Sequence, residues 1–137
     1  MDWDALNAEV IAEFRSRGGK VARFGDNPVA ILHTLGAKTN ALRLTPLVVI
    51  MDGEDRLIFG TKAGDPQHPD WYFNVRAHPR IEVEMGTERF TADIVQLSDE
   101  EAQAKVDMQT KSVPQFAAYV ESAAPRKIPV FKIVPVN

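Results

Sequence analysis

The sequence has no cysteine among its 137 residues. This absence excludes disulfide bonds, thiolate nucleophiles and cysteine-ligated metals. Histidine is scarce as well, and His33, His68 and His78 lie in separate segments without the spacing of two metal ligands on one helical turn. We therefore expect no metal site in this protein.

Long apolar segments and an excess of positive charge are also missing. The longest apolar run, Leu47 to Met51, is far too short to span a bilayer. The N-terminus reads MDWDALNAEV, with two early acids and no apolar signal core. The net charge of -3 gives no global attraction to nucleic acid or to an anionic membrane. We expect a cytoplasmic protein with no nucleic-acid partner and no stable membrane insertion, and peripheral contact with a membrane stays open.

What the sequence does contain is typical of one soluble domain. Hydrophobic residues make up 45% of the chain and charged residues 26%, which are ordinary values for a globular protein. A chain of this length most often forms one core, so we expect a single domain over residues 1–137.

Helical periodicity appears at the beginning and near the end of the chain. An apolar face with a spacing of three or four residues predicts a first helix that begins at Asp2 or Asp4 and ends at Gly18-Gly19. Pro69-Asp70 predicts the start of a short helix over 71–77. Ser98 and Glu101 form a capping box before a helix to about residue 110, and Pro114 begins another helix.

Strand patterns fill the rest of the chain. We expect strands at 29–35, 42–51, 56–60, 80–85, 89–97 and 129–134, with Asp52-Gly53 as a turn. Pro46 cannot donate to a sheet, so it should mark an edge or a bulge. About six short strands with peripheral helices predict a mainly β (α+β) fold, a small antiparallel barrel.

Two runs of sequence carry the functional signal. In the first, residues 36–47, a turn bearing Lys38 separates two strand-like stretches, and Arg43 opens the second of them. In the second, residues 61–74, Lys62 stands beside small residues and before a Pro-Asp-Trp-Tyr helix start. Singly, each cation could be a solvated surface charge. Three cations beside glycine or proline turns instead favour convergence on one anionic ligand.

The residue types suit such a ligand. The turn around Lys38 can offer free backbone N–H groups as an anion-binding nest, and Arg43 can bind a phosphate with two parallel hydrogen bonds. The small residues Gly60, Ala63 and Gly64 would let the backbone approach a flat ring.

The aromatic helix start and its neighbour leave two interpretations open. Trp71 and Tyr72 either pack in the core, or the loop before them and the start of their helix cover an anionic or aromatic ligand. Asn74 either satisfies a polar edge of the ligand or hydrogen-bonds the local chain.

Together the two runs resemble those of the deazaflavin-dependent nitroreductase family, which binds coenzyme F-420. The resemblance extends from Val10–Arg15 and Gly18-Gly19 to the Arg-Lys-Ile-Pro-Val stretch at 126–130. It implies a split β-barrel with F-420 in a groove, where basic residues hold its phosphate and oligoglutamate tail. The matching cofactor residues are Lys38, Arg43, Thr45 and Pro46 in the first motif, and Thr61, Lys62, Ala63, Gly64, Trp71, Tyr72 and Asn74 in the second.

Several positions depart from the family pattern. One arginine of the first motif is missing at Ala37, which predicts a weaker site for the tail. The resemblance implies a substrate pocket of Val48, Phe116 and Tyr119. Val48 replaces a frequent aromatic residue, and Phe116 stands where members that reduce nitro drugs have tyrosine. We therefore expect an apolar pocket that suits a quinone.

The resemblance also implies an activity. A deazaflavin passes a hydride to its acceptor, here a planar conjugated small molecule such as a quinone. Thr61 and Tyr119 are the candidate catalytic hydroxyls, with hydrogen-bonding roles, and water is an equal candidate as the proton donor. Two alternatives stay open: an FMN-binding split barrel, and a protein that carries the cofactor without turnover. A homodimer stays open as well.

Overall fold

A computed structural model describes residues 2–136, except for the side chain of Trp3. Within this range seven strands form one antiparallel sheet. They are β1 (Val29–Leu35), β2 (Leu42–Val48), β3 (Ile50–Asp52), β4 (Asp55–Phe59), β5 (Arg80–Met85), β6 (Glu88–Gln96) and β7 (Val130–Pro135). Their order across the sheet is β2-β1-β5-β6-β7-β4-β3.

Val49 explains how the sheet closes on itself. Strands β2 and β3 stand at opposite ends of the strand order, yet only Val49 separates them along the chain. The two edges must therefore approach each other, which curls the sheet into an open barrel. The Val49 side chain is fully buried, and its N–H donates to the Pro28 carbonyl at 2.8 Å.

The expectation of one strand over 42–51 is therefore wrong, and the count rises from about six strands to seven. The apolar pattern continues through Val49, but the hydrogen-bonding partner changes there. Pro46 lies on β2 opposite Ile31, and β2 is at one end of the strand order. Pro46 is therefore confirmed as a residue of an edge strand.

Four α-helices lie in the described range: α1 (Trp3–Ser16), α2 (Asp70–Ala77), α3 (Asp99–Ser112) and α4 (Pro114–Ala123). Asp2 caps α1 by accepting a hydrogen bond from the Ala5 N–H at 3.1 Å. Ser98 accepts from the Glu101 N–H at 3.2 Å and donates its hydroxyl to the Glu101 carboxylate at 3.1 Å. The predicted cap at Ser98 is thus confirmed, whereas the Glu101 carboxylate binds the Ser98 hydroxyl in place of the backbone N–H that a full capping box uses. The longest helices have 14 residues, and none of the described helices is long and apolar enough to cross a membrane.

Both faces of β1 are buried, because a helix packs on each of them. Ala30 and Leu32 face the main core with α2, whereas Val29 and Ile31 pack under α1. A third cluster lies beneath α3 and α4. Side chains of a strand alternate between its two faces, so β1 holds α1 and α2 on opposite sides of the sheet.

An ion network attaches α1 to the sheet. Glu84 on β5 accepts two hydrogen bonds from Arg15, at 3.2 Å and 2.8 Å, and lies 2.7 Å from the His33 ring on β1. The pairing with Arg15, more than that with His33, lowers the pKa of Glu84. The Glu84 side chain is only 15% exposed, so this network is shielded from solvent more than an ordinary surface pair.

Candidate functional site

Helix α2 brings the first sequence run to the second. The Asn74 side-chain oxygen accepts a hydrogen bond from the Ala37 N–H at 3.0 Å. Asp70, at the start of α2, has a carboxylate oxygen 4.0 Å from the Arg43 guanidinium. The lysine turn and the start of β2 therefore lie against the same helix. Asn74 is 8% exposed, and its side chain bonds a residue 37 positions away rather than the local chain that one interpretation predicts. Its contact with a cofactor stays a prediction.

The lysine turn retains free hydrogen-bond donors. The Gly36 N–H donates to the Ala41 carbonyl, and the Asn40 N–H donates to the Gly36 carbonyl, both at 2.9 Å. Within residues 2–136, the backbone N–H groups of Lys38 and Thr39 have no hydrogen-bond partner. The Lys38 side chain is exposed. This arrangement is suited to an anion, because a cation and two N–H donors occupy consecutive positions.

Arg43 borders an open cleft between α1 and β2. The cleft has a volume of about 460 Å³ and is lined by Asp4, Asn7, Ala8, Ile11, Leu42, Arg43, Leu44 and Thr45. The Arg43 side chain is 52% exposed and pairs with Asp4 at 3.2 Å. The structure thus places Arg43 and Thr45 in one cleft, where an anionic ligand would meet a guanidinium already paired with a carboxylate.

The loop that carries Lys62 has an unusual backbone. Lys62, Ala63 and Gly64 have φ angles of 46°, 52° and 82°, and the first two are not glycines. Left-handed conformations are disfavoured for residues with a Cβ atom and cluster at functional sites. A Cβ atom on Gly64 would lie 3.1 Å from Tyr119 Cα and 3.0 Å from Ser122 Cβ. Gly64 therefore lets the loop pack closely on α4.

Both glycines of the loop pack against other parts of the chain. Gly60 lies against Pro129, whose Cγ would be 2.7 Å from an added Cβ. Gly64 lies against α4, which brings residues 61–64 next to Tyr119. The predicted approach of this backbone to a flat ring remains a prediction, and the structure shows a second reason for the small residues.

The aromatic residues of α2 pack in the core. Trp71 and Tyr72 are 6% and 8% exposed. Their ring centroids lie 5.4 Å and 5.9 Å from that of Phe131, and His68 stacks on Tyr72 at 3.9 Å. The core-packing interpretation therefore describes both rings. Whether either ring also contacts a cofactor stays a prediction.

The three expected pocket residues occupy different surroundings. Val48 is half-buried at the end of β2, opposite Val29. Phe116 is 8% exposed and packs edge-to-face on Phe59, with the centroids 5.2 Å apart. Tyr119 is half-buried beside the Lys62 loop. The structure brings Tyr119 to Thr61–Gly64 and places Phe116 one helical turn away, in the cluster beneath α3 and α4.

Arg126 is a residue of this region that the sequence did not reveal. Its guanidinium contacts the loop before and after Lys62: it donates to the carbonyls of Gly60 at 2.9 Å, Thr61 at 3.0 Å and Asp65 at 2.7 Å. It also lies 3.3 Å from His68 Nδ1. Burial, followed by the charges of Arg126 and Arg76, lowers the pKa of His68. The lowered pKa favours the neutral imidazole, whose unprotonated ring nitrogen can accept a hydrogen bond.

The described range contains no cluster of three or more acidic or histidine side chains that could hold a metal ion. The candidate site is instead made of cations, free N–H groups and hydroxyls around α2 and the Lys62 loop. Such a set of donors can bind an anionic organic ligand.

Comparison with known proteins supports this interpretation. A family model described as F-420H(2)-dependent quinone reductase matches residues 7–135. A quinone reductase of that description from Mycobacterium tuberculosis is 41% identical over 92 residues, which cover 64% of this chain and 62% of the relative. This chain therefore spans less than two thirds of the length of that relative.

Two solved structures are similar over most of the chain. One is described as an F-420-H2 dependent reductase (FDR-A), with a TM-score of 0.65, 32% identity, and coverage of 77% of this chain and 93% of that one. The other, described as a domain-swapped dimer, has a TM-score of 0.66, 31% identity and coverage of 96% and 97%. The predicted split-barrel fold and the resemblance to deazaflavin-dependent reductases are confirmed. The chain belongs to the F-420H(2)-dependent quinone reductase family.

Proposed function

We propose that this protein is an F-420-dependent oxidoreductase that reduces a planar conjugated acceptor such as a quinone. The observation that carries the proposal is the convergence of the two sequence runs on α2. Asn74 fixes the lysine turn at 3.0 Å from its side chain, and Asp70 lies 4.0 Å from Arg43. Both motifs that resemble F-420-binding sequences therefore meet at one helix.

The residues present fit a planar cofactor with anionic groups. Lys38 and the free N–H groups of its turn form one anion site, and Arg43 in the α1–β2 cleft offers a second. Lys62 adds a third cation on the loop with left-handed backbone angles. Three separate cationic positions are more than the single phosphate of FMN requires, which favours a cofactor with a longer polyanionic tail.

The chain's own residues would bind the cofactor and orient the acceptor. Lys38, Arg43 and Lys62 would neutralise anionic groups. The remaining predicted cofactor residues would line the groove: Thr45, Pro46, Thr61, Ala63, Gly64, Trp71, Tyr72 and Asn74. Reduced F-420, when bound, supplies the hydride.

Two hydroxyls are proposed to act near the reacting groups. Thr61 and Tyr119 belong to segments that meet at Gly64, so both can hydrogen-bond an acceptor held beside the Lys62 loop. Val48 and Phe116 are proposed to make the wall of this pocket apolar. Such a wall favours flat hydrophobic acceptors, at about 25 cal/mol for each Å² of apolar area removed from water.

A titration followed by a turnover assay tests the proposal. The purified protein is titrated with F-420 and, separately, with FMN, and binding is followed by absorbance. Reduced F-420 is then mixed with menadione, with and without the protein. We expect tighter binding of F-420 and faster oxidation in the presence of the protein. Preferential binding of FMN would contradict the cofactor assignment, and binding without faster oxidation would identify a carrier.

Assembly and location belong to the proposal too. Similarity to a structure described as a domain-swapped dimer supports a homodimer. We place the protein in the cytoplasm, with peripheral contact at a membrane if its acceptor is a lipid-soluble quinone. Size-exclusion chromatography with light scattering would test the dimer, because a monomer and a dimer differ twofold in mass.

A further inference from the structure

The guanidinium of Arg126 uses all three of its nitrogens on one loop. Nε donates to the Asp65 carbonyl at 3.1 Å, and Nη2 donates to the carbonyls of Asp65 at 2.7 Å and Thr61 at 3.0 Å. Nη1 donates to the Gly60 carbonyl at 2.9 Å and lies 3.3 Å from His68 Nδ1. Arg126 is 61 to 66 residues away from its carbonyl partners along the chain, so these are tertiary contacts.

These acceptors are neutral, which distinguishes Arg126 from the other arginines of the described chain that form ion pairs. Burial is the main cause that lowers the pKa of Arg126, and the charge of Asp65 opposes it. The Asp65 carboxylate itself accepts a hydrogen bond from the Gln67 N–H at 2.7 Å. These contacts therefore depend on the planar, branched set of donors that only arginine has. They depend less on its positive charge.

The loop around Lys62 has a backbone conformation that needs contacts from the rest of the protein to hold it. Lys62 and Ala63 are in the left-handed region, at φ angles of 46° and 52°. Disfavoured backbone conformations persist when the surrounding structure holds them on several sides. Arg126 binds the carbonyls of Gly60 and Thr61 before this segment and that of Asp65 after it. Gly64 packs on α4 from another direction.

We propose that Arg126 is a positioning residue for the cofactor reaction, because it holds residues 60–68 in the conformation that presents Lys62 and the Thr61–Gly64 backbone to the ligand. This inference rests on the proposed function for the identity of the ligand. The holding of the loop itself does not depend on that identity. Lysine cannot replace Arg126 in this role, because a single ammonium group cannot reach acceptors on both sides of the segment at once.

The first test examines the loop without cofactor. The Gly64 N–H donates to the Thr61 carbonyl at 2.9 Å, and the Asp65 N–H donates to the Lys62 carbonyl at 3.0 Å. Hydrogen exchange of these two amides is measured in the parent, Arg126→Lys and Arg126→Ala. Arg89→Ala serves as the control, since Arg89 is 59% exposed and pairs with Glu82 at 3.5 Å. We expect at least tenfold faster exchange in both Arg126 variants and no change in the control.

The second test measures function in the same variants. We expect Arg126→Lys and Arg126→Ala to raise the Kd for F-420 about tenfold, and the KM for reduced F-420 to rise more than kcat falls. A merely structural role would instead lower the melting temperature and leave the Kd of the folded protein unchanged. If Arg126→Ala fails to fold, Arg126→Lys, which keeps the charge and the aliphatic stem, decides the question.

The outcomes separate this inference from the proposed function. Failure of the parent to bind F-420 would contradict the proposed function, whereas the exchange rates would still decide whether Arg126 holds the loop. Binding by the parent with parent-like exchange and parent-like Kd in Arg126→Lys would overturn the positioning role.

Discussion

The ion pair between Asp4 and Arg43 predicts that Asp4 competes with the cofactor for Arg43, which we propose as a cofactor-binding residue. Asp4 Oδ1 lies 3.2 Å from Arg43 Nη2, and the two side chains are 83% and 52% exposed. Both border the same cleft beside α1. An anionic group that binds Arg43 must therefore displace the Asp4 carboxylate or share the guanidinium with it. Asp4→Asn removes the charge and keeps the shape.

The exposure of the pair sets the size of the expected effect. Ion pairs between exposed side chains contribute about 0.2–1 kcal/mol. If the ligand must break this pair, Asp4→Asn should tighten F-420 binding by about 1.4- to 5-fold, since 1.4 kcal/mol corresponds to a factor of ten. The free energy of unfolding should fall by no more than about 1 kcal/mol, because the same pair is lost.

A fluorescence titration with F-420 at low and high salt measures this effect. Glu9→Gln is the matched control, because it removes the same charge from an exposed position of the same helix. The gain from Asp4→Asn should exceed that from Glu9→Gln and should shrink at high salt. Equal gains in the two variants would mean that only net charge matters. Unchanged affinity in Asp4→Asn would show that F-420 binding does not break the Asp4–Arg43 pair, and the reasoning would fail.

Three further predictions concern binding, stability and turnover. Lys38→Ala and Lys62→Ala should each weaken F-420 binding by about 1–3 kcal/mol, the scale of a lost charge-assisted hydrogen bond; unchanged Kd values in both would identify them as solvated surface charges. Glu84→Gln should destabilise the protein at pH 7. Because Arg15 lowers the folded-state pKa of Glu84, its contribution is present above the ordinary carboxyl pKa and disappears as pH falls, so denaturation curves of parent and variant should converge in acid. Tyr119→Phe should lower turnover with menadione and leave the Kd for F-420 unchanged; full activity would remove Tyr119 from the site.

The sequence predicted those parts of the fold that depend on local chemistry. Asp2 and Ser98 cap helices because their side chains reach nearby N–H groups, and Pro46 lies on an edge because it has no N–H. The same reasoning failed at Val49, where the single strand predicted over 42–51 divides into β2 and β3. A continuous apolar run cannot show where a strand changes its partner, since that change depends on the curvature of the whole sheet.

The candidate site was predictable only in part. Lys38, Arg43 and Lys62 stand beside turn residues that are visible in the sequence, and two of these segments meet at α2. Arg126 was not predictable as a contributor, because its partners are backbone carbonyls that are at least 61 residues away. Phe116 shows the converse case. A resemblance can assign a residue to a pocket wall, but the burial of its ring against Phe59 is visible only in three dimensions.

The place of β7 in the strand order has a consequence for the order in which the protein acquires its site during synthesis. In the described sheet, β4 and β3 connect to the other strands through β7; Phe59, just before the Lys62 loop, pairs with Val130. Arg126, which hydrogen-bonds that loop, also follows β6 and α4 along the chain. A nascent chain that ends before residue 126 can pair β1, β2, β5 and β6, but it lacks the Arg126 hydrogen bonds and the pairing of Phe59 with Val130. Residues 60–68 are therefore held by these contacts only after the segment that contains Arg126 and β7 has been synthesised.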